Sequence, residues 1–237
     1  MADLRFHADD LGYTASSVAA AEELISSGSL TGVSLLVNLP GFRRAVLLLH
    51  SHPVPTALHV NLVEGVPVSP RGDIPSLVNG RGRFFPLPVF LLRLLLGLVD
   101  KKEVELEVAA QLSKARQERI AIVGLDSHRH THMFSPIAEV FDHFSHTQHF
   151  SYIRSYGNFK TFTTLGFSKR LFVRFISLIT SLVSFHRLQL PPSWTENPSE
   201  PHFVFLSWES LSFKHLKRNK KLLVVVHPSL SFDHPLR

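Results

Sequence analysis

Cysteine is absent from all 237 residues. No disulfide can brace the fold and no thiolate can hold a metal, so any metal ligands must be imidazole or oxygen groups. The same absence fits a cytoplasmic protein, and the HADD run begins at His7, which leaves no room before it for a signal peptide. No apolar run has the length of a typical spanning helix. The strongest covers residues 84–99, with Pro86 and Pro88 near its start and Arg93 inside, and reads as a helix packed across the core or as a lid. A second, residues 171–185, is interrupted by Arg174 and reads as a buried helix, with peripheral membrane association as the alternative for both. No nucleic-acid-binding motif accompanies the net charge of +6. Much of the excess lies in residues 169–174 and 214–221, the latter the solvated face of a helix leading into the run LLVVV, so a nucleic-acid partner is not expected.

Four clusters of acids and imidazoles are spread far apart along the chain: HADDLG at residues 7–12, HVNLVEG at 59–65, LDSHRHTHMF at 125–134 and VVVHPS at 224–229. Each follows or ends a short apolar, β-branched run, so each presents side chains where a strand gives way to a loop. In the third cluster Asp126, His128, His130 and His132 alternate, and on an extended backbone side chains two apart share a face. Three imidazoles and a carboxylate on one edge suit a divalent cation with mixed nitrogen and oxygen ligands. With 15 histidines in the chain, any one alone reads equally well as solvated or capping; the repetition at separate strand ends is what favours a site. The adjacent Asp9 and Asp10 repel, and a metal on one leaves the other for proton transfer. Asp-Asp-Leu-Gly also reads as a surface turn, and His59 in TALHVNL as a hydrogen-bonded core residue.

The chain alternates strands and helices: strand 4–8, helix 16–27 stopped by Gly28, strand 32–38, helix 42–50 and strand 56–61. A loop over 65–83, rich in Pro, Gly and Arg, is placed to shape a substrate pocket, and helix 101–116 leads to strand 120–125. This rhythm predicts an α/β fold with a parallel sheet or barrel. A strand at 152–154 puts Arg154 at its exit, near the site or on the surface, and 190–201 is a proline-rich connector. A hydrophobic content of 44% over this length suits one domain spanning residues 1–237.

HADDLG, HVNLVEG and LDSHRHTHMF, in this order and spacing, resemble the YdjC-like carbohydrate deacetylases, the family that includes chitooligosaccharide deacetylase and the hopanoid-associated deacetylases. The resemblance covers residues 4–136 and resumes at VVVHPS. It implies a modified, TIM-like (β/α) barrel of parallel strands with one divalent metal, hydrolysing the N-acetyl group of an amino sugar or oligosaccharide. By motif position Asp10, His59 and His128 match the metal ligands, Asp9 the catalytic base and His227 the general acid. His130 and His132 are left to orient the ligands from behind or to contact the sugar, and Arg154 matches a substrate-binding arginine. The family resemblance suggests Mg2+, whereas one Asp and two His ligands also fit Zn2+. Amide hydrolysis independently needs these parts: a Lewis acid, a base for the attacking water and an acid for the departing amine.

This chain departs from the family pattern in a short first strand carrying Asp3 and Arg5, in Ser229 where a glycine follows the late His-Pro, and in ending soon afterwards. The expected barrel is accordingly incomplete at its C-terminus. Two other functions stay open: a metal-dependent phosphoester hydrolase, which needs ligands for a second metal and basic phosphate-binding residues, and a noncatalytic relative that binds sugar or partner proteins. A homodimer stays open as well.

Overall fold

The computed structural model describes residues 3–154, 204–207 and 221–228. Its strands are β1 (Asp3–Leu11), β2 (Gly32–Leu35), β3 (Thr56–Val60), β4 (Ile122–Ser127), β5 (Tyr152–Ile153), β6 (Val204–Ser207) and β7 (Lys221–Val226). They form one sheet in the order β5-β4-β3-β2-β1-β7-β6, every pair parallel. Spatial neighbours advance along the chain in one direction and return to β1 from its other side. That is the singly wound order of a (β/α) barrel and not the central reversal of a doubly wound sheet. Among the described strands β5 and β6 are the two edges.

The helices α1 (Ala15–Ser26), α2 (Phe42–Ser51), α3 (Leu87–Leu95), α4 (Lys101–Gln117) and α5 (Ser135–Gln148) fill the crossovers. Every residue of β2 and β3 is buried, as parallel strands must be when both faces are covered. Helix α1 opens on a capping box in which Thr14 Oγ1 accepts from the Ser17 backbone N–H and Ser17 Oγ accepts from that of Thr14. Helix α2 turns Phe42, Ala45, Val46, Leu48 and Leu49 into the core, an i, i+3, i+4 stripe. Strand β1 is longer than the short strand expected, because β7 pairs with it from Asp3 to Ala8 and β2 reaches its far end at Leu11.

Of the two readings of residues 84–99, packing across the core is corrected: α3 buries Phe90 and Leu91, while Leu92, Leu95 and Leu96 are 55%, 46% and 62% exposed. No helix among the described residues is long and apolar enough to cross a membrane. Helix α4 buries Glu107 and Gln111 completely. Glu107 accepts from the N–H groups of Val68 and Ser69, and Gln111 bonds both the N–H and the C=O of Asn61. Those bonds tie down the segment that follows β3, so polar burial here positions a loop. The helices expected at 171–185 and before LLVVV, and the connector at 190–201, lie outside the described residues.

Candidate active site

All the acids and imidazoles in question collect at the C-terminal ends of the strands, the edge where parallel α/β sheets carry their chemistry. Asp9 and Asp10 come from the end of β1, His59 from β3, Asp126 from β4, His128 from just beyond it and Arg154 from just beyond β5. Strand alternation would send adjacent carboxylates to opposite faces. Here Asp10 takes the left-handed conformation, φ 60°, where the pairing of β1 with β2 shifts register between Ala8 and Leu11. The irregularity lets both carboxylates be buried in one cluster, at a conformational cost of about 1–3 kcal/mol. Gly12 completes the turn at φ +95°, with the carbonyl oxygen of Leu36 only 2.7 Å from where a Cβ would stand. A side chain is excluded there, which explains the glycine of HADDLG.

Asp10, His59 and His128 are each buried and offer ligand atoms that lie within 4.8 Å of one another. Asp10 Oδ1 stands 3.2 Å from His59 Nε2 and 2.7 Å from His128 Nδ1. Each histidine is held from behind by another carboxylate. His59 Nδ1 donates to Asp126 Oδ1 at 2.6 Å, and His128 Nε2 to Glu64 Oε2 at 2.9 Å. This carboxylate–imidazole backing is the usual way in which a protein orients metal-ligating histidines.

A second cluster adjoins the first. Arg154, fully buried, grips Asp9 with both terminal nitrogens at 2.5 and 2.6 Å and reaches Asp126 Oδ2 at 2.8 Å. The surface alternative for Arg154 is therefore excluded. Ser34 Oγ donates to Asp126 Oδ2 at 2.5 Å, so its lone pair accepts from His7 Nε2 at 2.6 Å. His7, Asp9 and Asp126 also gather ligand atoms within 4.8 Å. A guanidinium already lies against the two carboxylates of this second group.

Charge explains the ionisation states. Asp9, Asp10 and Asp126 bring three buried carboxylates against one guanidinium, leaving two negative charges to be balanced. A divalent cation held by neutral imidazoles balances them, and so do protons on His59 and His128. Burial would push His59 down, but Asp126 and Asp10 outweigh it and raise its pKa to about 10; His128 is raised likewise by Asp10 and Glu64. Burial would raise Asp9, yet the charge and hydrogen bonds of Arg154 hold it far below the usual carboxylate range. Burial, reinforced by Arg154, lowers His7 to about 4. The donor set, its burial and its charge deficit all fit one divalent cation.

The third motif is not an extended edge, as its alternation predicted. Strand β4 ends at Ser127, and His128–Met133 is a 3-10 turn with Arg129 and His130 at φ 55° and 57°. Ser127 Oγ accepts from the His132 backbone N–H and bonds Nδ1 of its ring, closing the turn on itself. The motif's imidazoles consequently diverge. His128 faces Asp10, while His132 stacks on Phe141 of α5 with ring centroids 5.5 Å apart, in a packing position where burial lowers its pKa to about 3. His130 is half-buried and lowered to about 4 by burial and by Arg154. His227 follows β7, whose Val226 aligns with Ala8 of β1, so it is carried to the same sheet edge next to Asp9; its side chain is exposed.

The sequence assigned no role to Glu64, Tyr13, His7 or Ser34, and read Asp126 as a cation ligand on the same edge as the histidines, not as the partner of His59 and Arg154. Asp126 and Glu64 lie inside quoted motifs, which was the available signal, while nothing in the local pattern marks Tyr13 or Ser34. Asn61 shows how Glu64 is placed: its Oδ1 accepts from the N–H groups of Val63 and Glu64, and its amide donates to the carbonyl of Glu64 and to Asn38 Oδ1. A half-buried loop residue is thus held in a set position by a buried amide.

A parallel, singly wound α/β fold with an Asp-His-His cluster at its C-terminal edge defines the class of protein, and comparison with known proteins gives the family. The model of the YdjC-like protein family matches residues 3–236, and this chain belongs to that family. Among relatives, the human carbohydrate deacetylase is 38% identical over 136 residues, which is 56% of this chain and 42% of that protein. The mouse carbohydrate deacetylase is 36% identical over 140 residues, 56% of this chain and 44% of that protein. That of Brevibacillus brevis is 33% identical over 135 residues, 56% and 52% respectively. The aligned part thus spans about half the length of these relatives. A crystal structure from Enterococcus faecalis V583, named for cellobiose-phosphate cleavage, superposes with a TM-score of 0.69 at 19% identity, over 97% of this chain and 82% of that one. That likeness is one of fold.

Proposed function

We propose that this chain is a metal-dependent hydrolase, acting as one domain, that removes the N-acetyl group from an amino sugar or a short oligosaccharide. The observation that carries the reading is the placing of Asp9, held ionised by Arg154, on the residue next to Asp10, whose carboxylate converges with His59 and His128. The naming of three relatives as carbohydrate deacetylases supports the substrate class.

In this reading Asp10, His59 and His128 hold the cation, with nitrogen-rich, buried donors that favour Zn2+ over the Mg2+ suggested by family resemblance. The bound cation lowers the pKa of water and polarises an amide carbonyl. Asp126 holds His59 with its Nε2 toward that position and at the same time shares Arg154 with Asp9, so ligand and base are aligned by one carboxylate. Asp9 takes a proton from the attacking water as the new C–O bond forms. Arg154 keeps it fully ionised for this task, although a lowered pKa makes it a weaker proton acceptor. As the C–N bond breaks, His227 gives a proton to the departing amine, and acetate and the free amino sugar leave. His130, half-buried, remains for contact with the sugar, and Arg154 serves the base and not the sugar.

A phosphoester hydrolase with two metals is less well supported, because the second group of acids and imidazole is occupied by the Arg154 guanidinium. Acetate release across a panel of N-acetylated mono- and disaccharides, with the metal content of the same sample measured, tests the proposal. Acetate from at least one sugar, dependent on bound metal, is expected. Stoichiometric metal with no acetate from any of them would leave a noncatalytic, sugar-binding relative as the answer.

A further inference from the structure

The half-exposed carboxylate at the mouth of the cluster carries an inference that rests on the metal site proposed above. The side chain of His128 is 2% exposed, whereas that of Glu64, which holds it, is 36% exposed. Glu64 uses both oxygens: Oε2 accepts from His128 Nε2 at 2.9 Å, and Oε1 accepts from the Tyr13 hydroxyl at 2.5 Å. Tyr13 lies over the imidazole it helps to hold, with ring centroids 5.9 Å apart. These residues come from three different strand ends, Tyr13 after β1, Glu64 after β3 and His128 after β4. Glu64 hydrogen-bonds both of the others.

We propose that Glu64, held by Tyr13, is the positioning residue that makes His128 a ligand through Nδ1. With Nε2–H committed to Glu64, the lone pair of a neutral His128 sits on Nδ1, the nitrogen that faces Asp10. His59 is held the opposite way, with Nδ1–H on Asp126 and Nε2 facing Asp10. The two ligand histidines therefore use different nitrogens, and each is set by its own carboxylate. The difference between them is burial: Asp126 is sealed in the core with Arg154 and Ser34, while Glu64 is partly exposed. Tyr13 supplies the hydroxyl that keeps Glu64 from swinging into solvent. Burial and Glu64 raise its phenol pKa to about 12, so it remains a donor throughout the working range.

The test compares Glu64→Ala, Glu64→Gln and Tyr13→Phe with the unaltered protein, using nitrogen-15 NMR of the histidine side chains and Zn2+ titration against a chelator. A slowly exchanging Nε2–H resonance of His128 is expected in the unaltered protein, with or without Zn2+. Glu64→Ala should abolish it and weaken Zn2+ binding by about 10- to 100-fold. Glu64→Gln should keep the resonance and most of the affinity, since its amide oxygen can still accept from Nε2–H. Tyr13→Phe should give a smaller loss than Glu64→Ala. An unchanged resonance and affinity in Glu64→Ala would overturn the proposal, and so would equal losses in Ala and Gln variants accompanied by a parallel fall in thermal stability. The outcome is separable from that of the acetate assay. A sample that binds Zn2+ but hydrolyses no sugar, and still loses the Nε2–H signal and Zn2+ affinity in Glu64→Ala, refutes the enzymatic reading and leaves the positioning role standing, whereas a sample that binds no Zn2+ overturns both.

Discussion

Arg154 and Asp9, 145 positions apart in the chain, meet in a two-pronged ion pair with bonds of 2.5 and 2.6 Å, both side chains buried. Asp126 shares the same guanidinium at 2.8 Å. Removing the cation would leave two carboxylates buried together without compensation. Arg154→Ala is expected to destabilise the fold by about 3–5 kcal/mol, and Arg154→Lys by less, since it keeps the charge but not the fork. Urea denaturation measures both; a loss under about 1 kcal/mol for Arg154→Ala would mean that water or another cation compensates Asp9.

Asp9→Asn should retain the metal and lose turnover by about a hundredfold or more, the scale of removing a placed proton acceptor. It should also change the acid limb of stability. Because the folded pKa of Asp9 is depressed below the ordinary 3.8, its contribution is complete above that value and declines as pH falls toward the folded one. The stability difference between the unaltered protein and Asp9→Asn is therefore expected to hold above the ordinary carboxylate value of 3.8 and to shrink as pH falls below it. A difference that is flat over this range would show that Asp9 is not held ionised by Arg154.

Replacing Asp10, His59 or His128 with Ala should each abolish stoichiometric metal uptake, measured by elemental analysis, while circular dichroism retains the α/β signature. Full occupancy in His128→Ala would remove that residue from the ligand set and undercut the Glu64 inference with it.

An alkaline limb is expected when no metal is present. The folded pKa of His59 is raised from 6.5 to about 10, so the native state binds more protons than the unfolded one in that interval. Its contribution is present in full below 6.5 and is lost as pH rises toward 10. Unfolding free energy of protein stripped with a chelator should fall across this range, and saturating Zn2+ should flatten the fall. If the stripped protein is equally stable at both ends, the imidazole is not charge-balanced by Asp126 and Asp10.

His227→Ala should leave metal affinity unchanged and depress hydrolysis of an acetamide far more than that of an activated acetate ester, whose leaving group needs little protonation. Equal losses on the two substrates would assign His227 a binding role instead.

The sequence by itself determined which residues stand at strand ends, because strand runs, caps and turn glycines are local signals. It was enough to bring Asp9, Asp10, His59, His128 and His227 to one edge of a parallel sheet, while Arg154 was left open between site and surface, and the order of the motifs pointed to the family. Local patterns misled where a short hydrogen bond overrode them: the alternating 126–132 run became a 3-10 turn because Ser127 Oγ captures the backbone and ring of His132. The left-handed Asp10, which lets neighbouring carboxylates share a site, is likewise decided by the strands on either side of β1. Only the tertiary structure could choose the partners: Asp126 for His59, Glu64 for His128, Arg154 for Asp9. Those choices follow from the need to satisfy every buried charge and hydrogen-bonding group, a condition on the folded whole that no window of sequence contains.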